Sequence, residues 1–113
     1  MTKRMTRIFN LGSINVDHIY RVAHLAGAGE TLAATEYRRL LGGKGANQSI
    51  AATRAGGEVV HIGAVGPEGA DVLGMMGEMG VCSAQIQTIE TPTGHAIIQV
   101  DSTGENAIIL FPG

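Results

Sequence analysis

The 113-residue sequence has no tryptophan, two tyrosines, two phenylalanines, three prolines and one cysteine. A net charge of −2 and a pI near 6.0 give no electrostatic basis for a nucleic-acid or membrane partner. Cys82 has no partner for an internal disulfide, and no signal peptide is recognisable. No stretch approaches the roughly 18 apolar residues of a membrane span. These absences together predict a cytoplasmic protein.

What the sequence does contain is 44% hydrophobic residues and 17 glycines. The first value excludes a disordered or fibrous chain, and the length predicts one small domain. Because the glycines follow no collagen period and no low-complexity run, we expect them to mark turns and close backbone approaches.

Hydrophobic spacing predicts the beginning of an α/β layer and, in addition, a separate small β-sheet. A nearly continuous apolar run at 58–65 is typical of a buried parallel strand, and Gly56 suits the end of the helix before it. After Gly80 we expect antiparallel strands, with a hairpin turn at 102–105. The chain stops inside a turn signal, so we expect the front portion of a larger enzyme. The predicted strands are 7–14, 16–24, 31–41, 58–65, 85–89, 94–101 and 106–111, and the helices are about 45–55 and 72–79.

The segment Gly42–Gln48 (GGKGANQ) lies at a predicted strand-to-helix junction. Its glycines allow a ligand to approach the backbone, and Lys44 and Asn47 add polar groups beside the first N–H groups of the helix. It is not a P-loop, because Arg38 stands where that motif needs its first glycine and Gly45 where it needs Ser or Thr. A ligand-binding turn and a purely structural glycine turn both remain possible.

Asn15 and Asp17 lie two residues apart at the end of a predicted strand, so both side chains should leave the same face. A carboxylate beside an amide can accept hydrogen bonds from adjacent hydroxyls of a polyol, although an Asx turn explains the pair equally well. A dinucleotide motif is excluded at 27–32, where the third glycine is missing and no helix follows. No metal site is predicted, because no ligand spacing links the four histidines and the cysteine, His18, His24, His61, His95 and Cys82.

Several segments together resemble the ribokinase (PfkB-type) family of carbohydrate kinases. They are 12–17 (GSINVD), 29–31 (GET) and 42–48 (GGKGANQ), followed by Gly56 and Gly66. Segments 93–98 and 104–106 also fit the family pattern. Two segments depart from it: 26–29 replaces a proline-flanked stretch, and Pro67-Glu68 replaces an acidic pair.

The resemblance implies a fold in which a three-layer α/β core carries a small β-sheet lid over the sugar. Residues 1–113 would form the N-terminal part of one carbohydrate-kinase domain. The core elements would be approximately 7–14 and 45–80, and the lid strands approximately 16–41 and 85–111. The lid also suggests a homodimer, since apolar strands 94–101 and 106–111 suit edge pairing.

The resemblance also implies a reaction, transfer of the ATP γ-phosphoryl group to a primary hydroxyl of a sugar, with D-ribose the best supported. The family's catalytic Asp, in a Gly-Ala-Gly-Asp motif, and its nucleotide segments belong to a C-terminal half that is absent here. We therefore expect no catalytic residue in this chain, and ATP and Mg²⁺ sites outside it. Fructokinase, nucleoside kinase and keto-deoxy-sugar kinase activities remain alternatives, as does a non-catalytic sugar-binding or β-sheet dimerisation module. The implied sugar-binding residues are Asn15, Asp17, Gly43, Lys44 and Asn47 for the hydroxyls, with Ala96 and Ile98 on the apolar side.

Overall fold

The computed structural model describes residues 6–113, which form seven strands and two helices. In chain order they are β1 (Arg7–Leu11), β2 (Asn15–Arg21), β3 (Glu36–Gly42), α1 (Lys44–Arg54), β4 (Glu58–Val65), α2 (Ala70–Glu78), β5 (Cys82–Thr88), β6 (Gly94–Val100) and β7 (Asn106–Phe111). Both helices fall where the apolar spacing predicted them. Helix α1 ends just before Gly56, whose φ of 99° is left-handed, as expected of a glycine that follows a helix.

A three-stranded parallel sheet, in the order β1-β4-β5, forms the α/β part of the fold. Strand β4 is its centre, which confirms the buried parallel strand predicted at 58–65. Helices α1 and α2 pack on one face of this sheet, and Phe9 and Leu11 on the opposite face are 61% and 77% exposed. The core between helices and sheet includes Ala46, Val59, Val65, Val72, Met76 and Ile86.

A second sheet of four strands has the order β3-β2-β6-β7. Strand β2 pairs antiparallel with β3 and parallel with β6, while β6 and β7 form an antiparallel hairpin. The predicted turn at 102–105 closes that hairpin, where Gly104 has a φ of 85°. We call this unit the four-stranded sheet.

The prediction that strand 85–89 joins the small sheet is wrong. Strand β5 pairs parallel with β4 and so belongs to the α/β part. Helix α2 brings the chain back beside β4 as a crossover connection, and Ile86, which is 9% exposed, packs into the core. The expectation of antiparallel strands throughout the segment after Gly80 fails at β5 for the same reason, and β6 is likewise parallel to β2.

The two sheets are joined at the segment between β1 and β2. The strand predicted over 7–14 ends at Leu11, and Ile14 lies in this connection, 5% exposed, within the hydrophobic core. Val16, at the start of β2, is 7% exposed and belongs to the same core. The four-stranded sheet is therefore anchored in the α/β part at the base of β2. Neither helix in residues 6–113 has the length and apolar character needed to cross a membrane.

Candidate functional site

Gly43 is the turn between β3 and α1, at the junction that the sequence predicted. Its φ of 93° is left-handed, and a Cβ placed there would lie 2.9 Å from the Ser13 carbonyl oxygen and 3.0 Å from the Asn15 amide nitrogen. Any side chain would therefore be strained by the backbone angle and would also collide with neighbouring main chain. Gly43 has a structural requirement of its own, whether or not a ligand contacts it.

The first turn of α1 lies directly against the segment that joins the two sheets. A Cβ on Gly12 would be 2.6 Å from the Gly45 Cα, so the two main chains touch at these glycines. The Ala46 N–H donates to the Ser13 carbonyl oxygen at 2.9 Å, and the Gly45 N–H donates to Ser13 Oγ at 3.3 Å. The two glycine motifs, about 30 residues apart in the sequence, are thus one structural unit.

The predicted polar and apolar site residues share one face of the four-stranded sheet. Strand register places Asp17 opposite Ala96, and places Ile19 opposite Ile98 on the same pair of strands. Directly paired residues present their side chains to the same face, and alternate residues of one strand do so as well. Asn15 and Asp17 therefore lie on the face that carries Ala96 and Ile98, which confirms the predicted common face of the Asn15–Asp17 pair.

Gly42 makes room for the carboxylate of Asp17. A Cβ on Gly42 would lie 2.8 Å from Oδ2 and 3.0 Å from Oδ1 of Asp17. The carboxylate thus lies across the bare backbone of the neighbouring strand. Gly42 has an ordinary negative φ, so its backbone conformation does not require glycine. Glycine is needed there because a side chain would occupy the space of the Asp17 carboxylate.

Lys44 and Asn47 are exposed residues at the start of α1, the turn that contacts Ser13. Their placement on this docked turn brings them to the same end of the four-stranded sheet as Asn15. Of the seven predicted residues, Asn15 also lines a cavity of about 270 Å³ between the two sheets, together with Ser13, Gly66 and Gly94. The predicted residues thus lie on an open face beside the junction.

Two polar contacts that involve charged side chains help to hold the four-stranded sheet to the α/β part. Thr93, just before β6, donates its N–H to Glu68 Oε1 at 2.6 Å, and Arg39 on β3 forms an ion pair with Asp71 on α2. A hydrogen bond from the Thr93 side chain, with backbone hydrogen bonds from Glu68 and Thr93, lowers the pKa of Glu68. Arg39 and His18 line a second cavity, of about 330 Å³, on the opposite face from Asp17.

Sequence reasoning missed three polar residues beneath this site, Asn10, Ser49 and His61. It considered His61 only as a metal ligand, whereas the structure buries it completely between β4 and α1. The one available signal is a histidine inside the apolar run 58–65, where a buried polar group needs hydrogen-bond partners.

Comparison with known proteins gives the class and then the family. The pattern of a pfkB family carbohydrate kinase matches residues 5–113, almost the whole chain. The fold and the glycine-rich junction are therefore those of a carbohydrate kinase. The chain belongs to the pfkB family, as its resemblance implied.

Individual relatives agree with this assignment. The ribokinase of Haemophilus influenzae is 40% identical over 106 residues, covering 91% of this chain and 35% of that protein. The ribokinase of Lactococcus lactis subsp. lactis is 37% identical, covering 96% of this chain and 37% of its own length. The chain thus spans about a third of the length of these relatives.

Solved structures match with the same partial coverage. A ribokinase from Cryptococcus neoformans var. grubii, in complex with ADP, has a TM-score of 0.83 and 38% identity over 94% of this chain and 34% of its own. The ribokinase of Arabidopsis thaliana, complexed with ribose and ATP, has a TM-score of 0.87 and 29% identity over 96% and 36%. The described fold is the N-terminal part of the ribokinase-like fold.

Proposed function

We propose that this chain forms the sugar-binding face and lid of an ATP-dependent kinase that phosphorylates D-ribose, or a related sugar, at a primary hydroxyl. The observation that carries the proposal is the shared face: Asn15 and Asp17 lie beside Ala96 and Ile98, next to the docked first turn of α1. A pyranose or furanose sugar has hydroxyl edges and apolar C–H faces, and this surface offers partners for both. The ribokinase names of the relatives support ribose as the first sugar to test.

Each predicted residue has a distinct role in this proposal. The carboxylate of Asp17 accepts hydrogen bonds from two neighbouring hydroxyls, and Asn15 adds an amide that both donates and accepts. Lys44 and Asn47 provide donors from the first turn of α1. The backbone of Gly43 borders the sugar, and Ala96 with Ile98 covers its C–H face. The role of these residues is therefore to position the acceptor hydroxyl and keep water away from it.

The phosphoryl donor is proposed to be ATP with Mg²⁺, bound by residues outside this segment. Within residues 6–113 no group of three or more His, Cys, Asp or Glu side chains lies close enough to hold a metal ion. The sequence also has no Gly-Ala-Gly-Asp motif to supply a carboxylate base. We therefore assign neither a metal ligand nor a general base to this chain.

The proposal is tested on the complete product of the reading frame that contains these residues. A coupled assay of ADP release should show turnover with D-ribose above that with D-fructose or a nucleoside, and calorimetry should show ribose binding. Preferred turnover of another acceptor would replace ribose as the substrate. Ribose binding with no turnover of any sugar would favour the alternative of a non-catalytic sugar-binding module.

A homodimer through the four-stranded sheet is a second part of the proposal. Strand β7 is an edge strand, and Ile109 and Leu110 on it are 70% and 59% exposed. Such an edge can pair with a second copy, which would cover these side chains. Ile109→Lys should shift the protein towards monomer in analytical ultracentrifugation, and an unchanged sedimentation coefficient would exclude pairing at this edge.

We also propose a cytoplasmic location, on the basis of the single exposed cysteine.

A further inference from the structure

Three polar side chains form a continuous hydrogen-bonded network beneath the junction of the two sheets. Asn10 Nδ2 donates to Ser49 Oγ and to the Gly45 carbonyl oxygen, each at 2.9 Å. Ser49 Oγ lies 2.7 Å from His61 Nδ1, and His61 Nε2 lies 2.9 Å from the Gly12 carbonyl oxygen. Ser49 and His61 are completely buried, so the hydrogen bond between them is shielded from water, while Asn10 is half-buried.

The partners fix the direction of every hydrogen bond in this network. A carbonyl oxygen only accepts, so His61 must carry its proton on Nε2 and donate it to Gly12. In the neutral imidazole Nδ1 then accepts a hydrogen bond from the Ser49 hydroxyl, and the Ser49 oxygen accepts one from Asn10 Nδ2. No buried side-chain nitrogen or oxygen in residues 6–113 lacks a partner. The network is thus fully satisfied in one arrangement, which is the condition under which buried polar groups specify a unique geometry.

A serine hydrogen-bonded to a histidine can be a nucleophile, but this pair cannot, because both side chains are 0% exposed and no substrate atom can reach them. The network instead contacts main-chain groups of neighbouring elements. It joins β1, α1 and β4, and its two ends are the carbonyl groups of Gly12 and Gly45, the residues at which the main chains touch.

We infer that Asn10, Ser49 and His61 are positioning residues, which hold the first turn of α1 against Gly12 and Ser13. On one side of this contact the chain continues to Asn15 and Asp17, and on the other to Lys44 and Asn47. The network therefore sets the separation between the two groups of polar residues to which the proposed function assigns the sugar hydroxyls, and in this respect the inference rests on that function. None of the three residues needs to touch the sugar.

The docking of α1 can be measured without any sugar. The Ala46 amide reports it directly, since its N–H is bonded to the Ser13 carbonyl across the contact. Ser49→Ala should accelerate hydrogen exchange of this amide about tenfold, because one buried network is broken in the middle. Thr53→Val is the matched control: it removes a hydroxyl from the same helix that bonds only to the Ser49 carbonyl at 2.8 Å, and should leave Ala46 exchange unchanged. In the unaltered protein a long-range ¹H–¹⁵N spectrum should show His61 protonated at Nε2 alone.

The effect on binding is measured on the complete gene product by calorimetry with D-ribose, well below the unfolding transition. Ser49→Ala should raise the Kd for ribose about three- to tenfold, the effect of weakening about one hydrogen bond to the sugar. Asn10→Val removes the side-chain link between β1 and α1 but leaves the Ser49–His61 pair intact, and it should also raise Kd. This variant tests the positioning role if Ser49→Ala does not fold. Faster Ala46 exchange with an unchanged Kd would overturn the positioning role, and so would unchanged exchange. Absence of ribose binding in the unaltered protein would refute the proposed function instead, and the exchange measurement alone would then decide whether the network docks α1.

Discussion

Replacing Gly42 by alanine should displace the carboxylate of Asp17 while leaving the protein folded. The new methyl group would lie 2.8 Å from Asp17 Oδ2, closer than real Cβ contacts allow, so one of the two groups must move. The carboxylate is the end of a side chain that is only half-buried, whereas the methyl group is fixed to a β-strand. The carboxylate therefore moves, and it leaves the place where the proposed function needs it.

Gly42→Ala should change the free energy of unfolding less than the free energy of ribose binding. Stability should change by no more than about 1 kcal/mol, because restricting the unfolded chain by Gly→Ala contributes about 0.4–1 kcal/mol and offsets the cost of moving one side chain. A charge-assisted hydrogen bond to the sugar contributes about 1.5–3 kcal/mol, so its loss should raise the Kd for ribose about ten- to hundredfold. The prediction is therefore weak binding by a stable protein.

A double-mutant cycle with Asp17→Asn gives the sharpest assay, with Kd from calorimetry and stability from thermal unfolding. If Gly42→Ala acts through Asp17, it should add little once Asp17 has lost its charge. Gly74→Ala is the control, since a Cβ there meets nothing within 4 Å on helix α2, and it should leave Kd unchanged. Fully additive effects of the two substitutions, or a Gly42→Ala variant with unaltered Kd, would refute the reasoning.

The remaining predictions concern other parts of the chain. The 113 residues alone should show no ADP release with ribose, and turnover above background would show that a base and a nucleotide site lie within them. Asp17→Asn should weaken ribose binding and leave ATP affinity nearly unchanged by calorimetry, whereas equal weakening of both would indicate a folding role. Gly43→Ala should lower Tm, because its φ of 93° and the Ser13 carbonyl at 2.9 Å add at least about 1–2 kcal/mol of strain; an unchanged Tm would contradict that geometry. Because its folded pKa is below the ordinary 4.5, Glu68 stabilises the fold above that pH and loses this contribution as pH falls through the lowered value. Glu68→Gln should therefore flatten the acid side of a plot of Tm against pH, and an unaltered slope would remove Glu68 from this role.

The sequence predicts the individual elements well where glycine and apolar spacing act together. Strand β4 matches the predicted 58–65, because a nearly continuous apolar run bounded by glycines has few alternatives. Strand β5 shows the limit of this reasoning. Its polar Gln85 and Gln87 alternate with smaller and apolar residues, a pattern shared by any edge strand, and the pattern says nothing about which sheet the edge belongs to. The parallel pairing with β4 depends on where α2 returns the chain, which is a tertiary property.

Part of the candidate site could likewise be predicted from local spacing, and part could not. The common face of Asn15 and Asp17 follows from a spacing of two residues on a strand. That Ala96 and Ile98 lie on this face depends on the register between β2 and β6, which are about 80 residues apart in sequence and carry no local signal of their pairing. The positions of Ala96 and Ile98 in a sugar site therefore came only from the family resemblance, and spacing alone could not have supplied them.

The inner and outer residues of the proposed site also differ in how they are anchored, since Ala96 is 5% exposed and lies opposite Asp17, whereas Ile98 lies further out. Asn15 stands between Ile14 and Val16, which are 5% and 7% exposed within the hydrophobic core, so the base of β2 is part of the α/β unit. Ile98 lies four residues further along its strand than Gly94, and its neighbour on β7, Ile108, is 56% exposed. Because buried, close-packed residues resist displacement more than exposed edge strands do, we expect the polar end to keep its geometry when the outer strands shift. Recognition of the sugar hydroxyls should then depend on the anchored end, while Ile98 adds affinity without changing which hydroxyls are recognised.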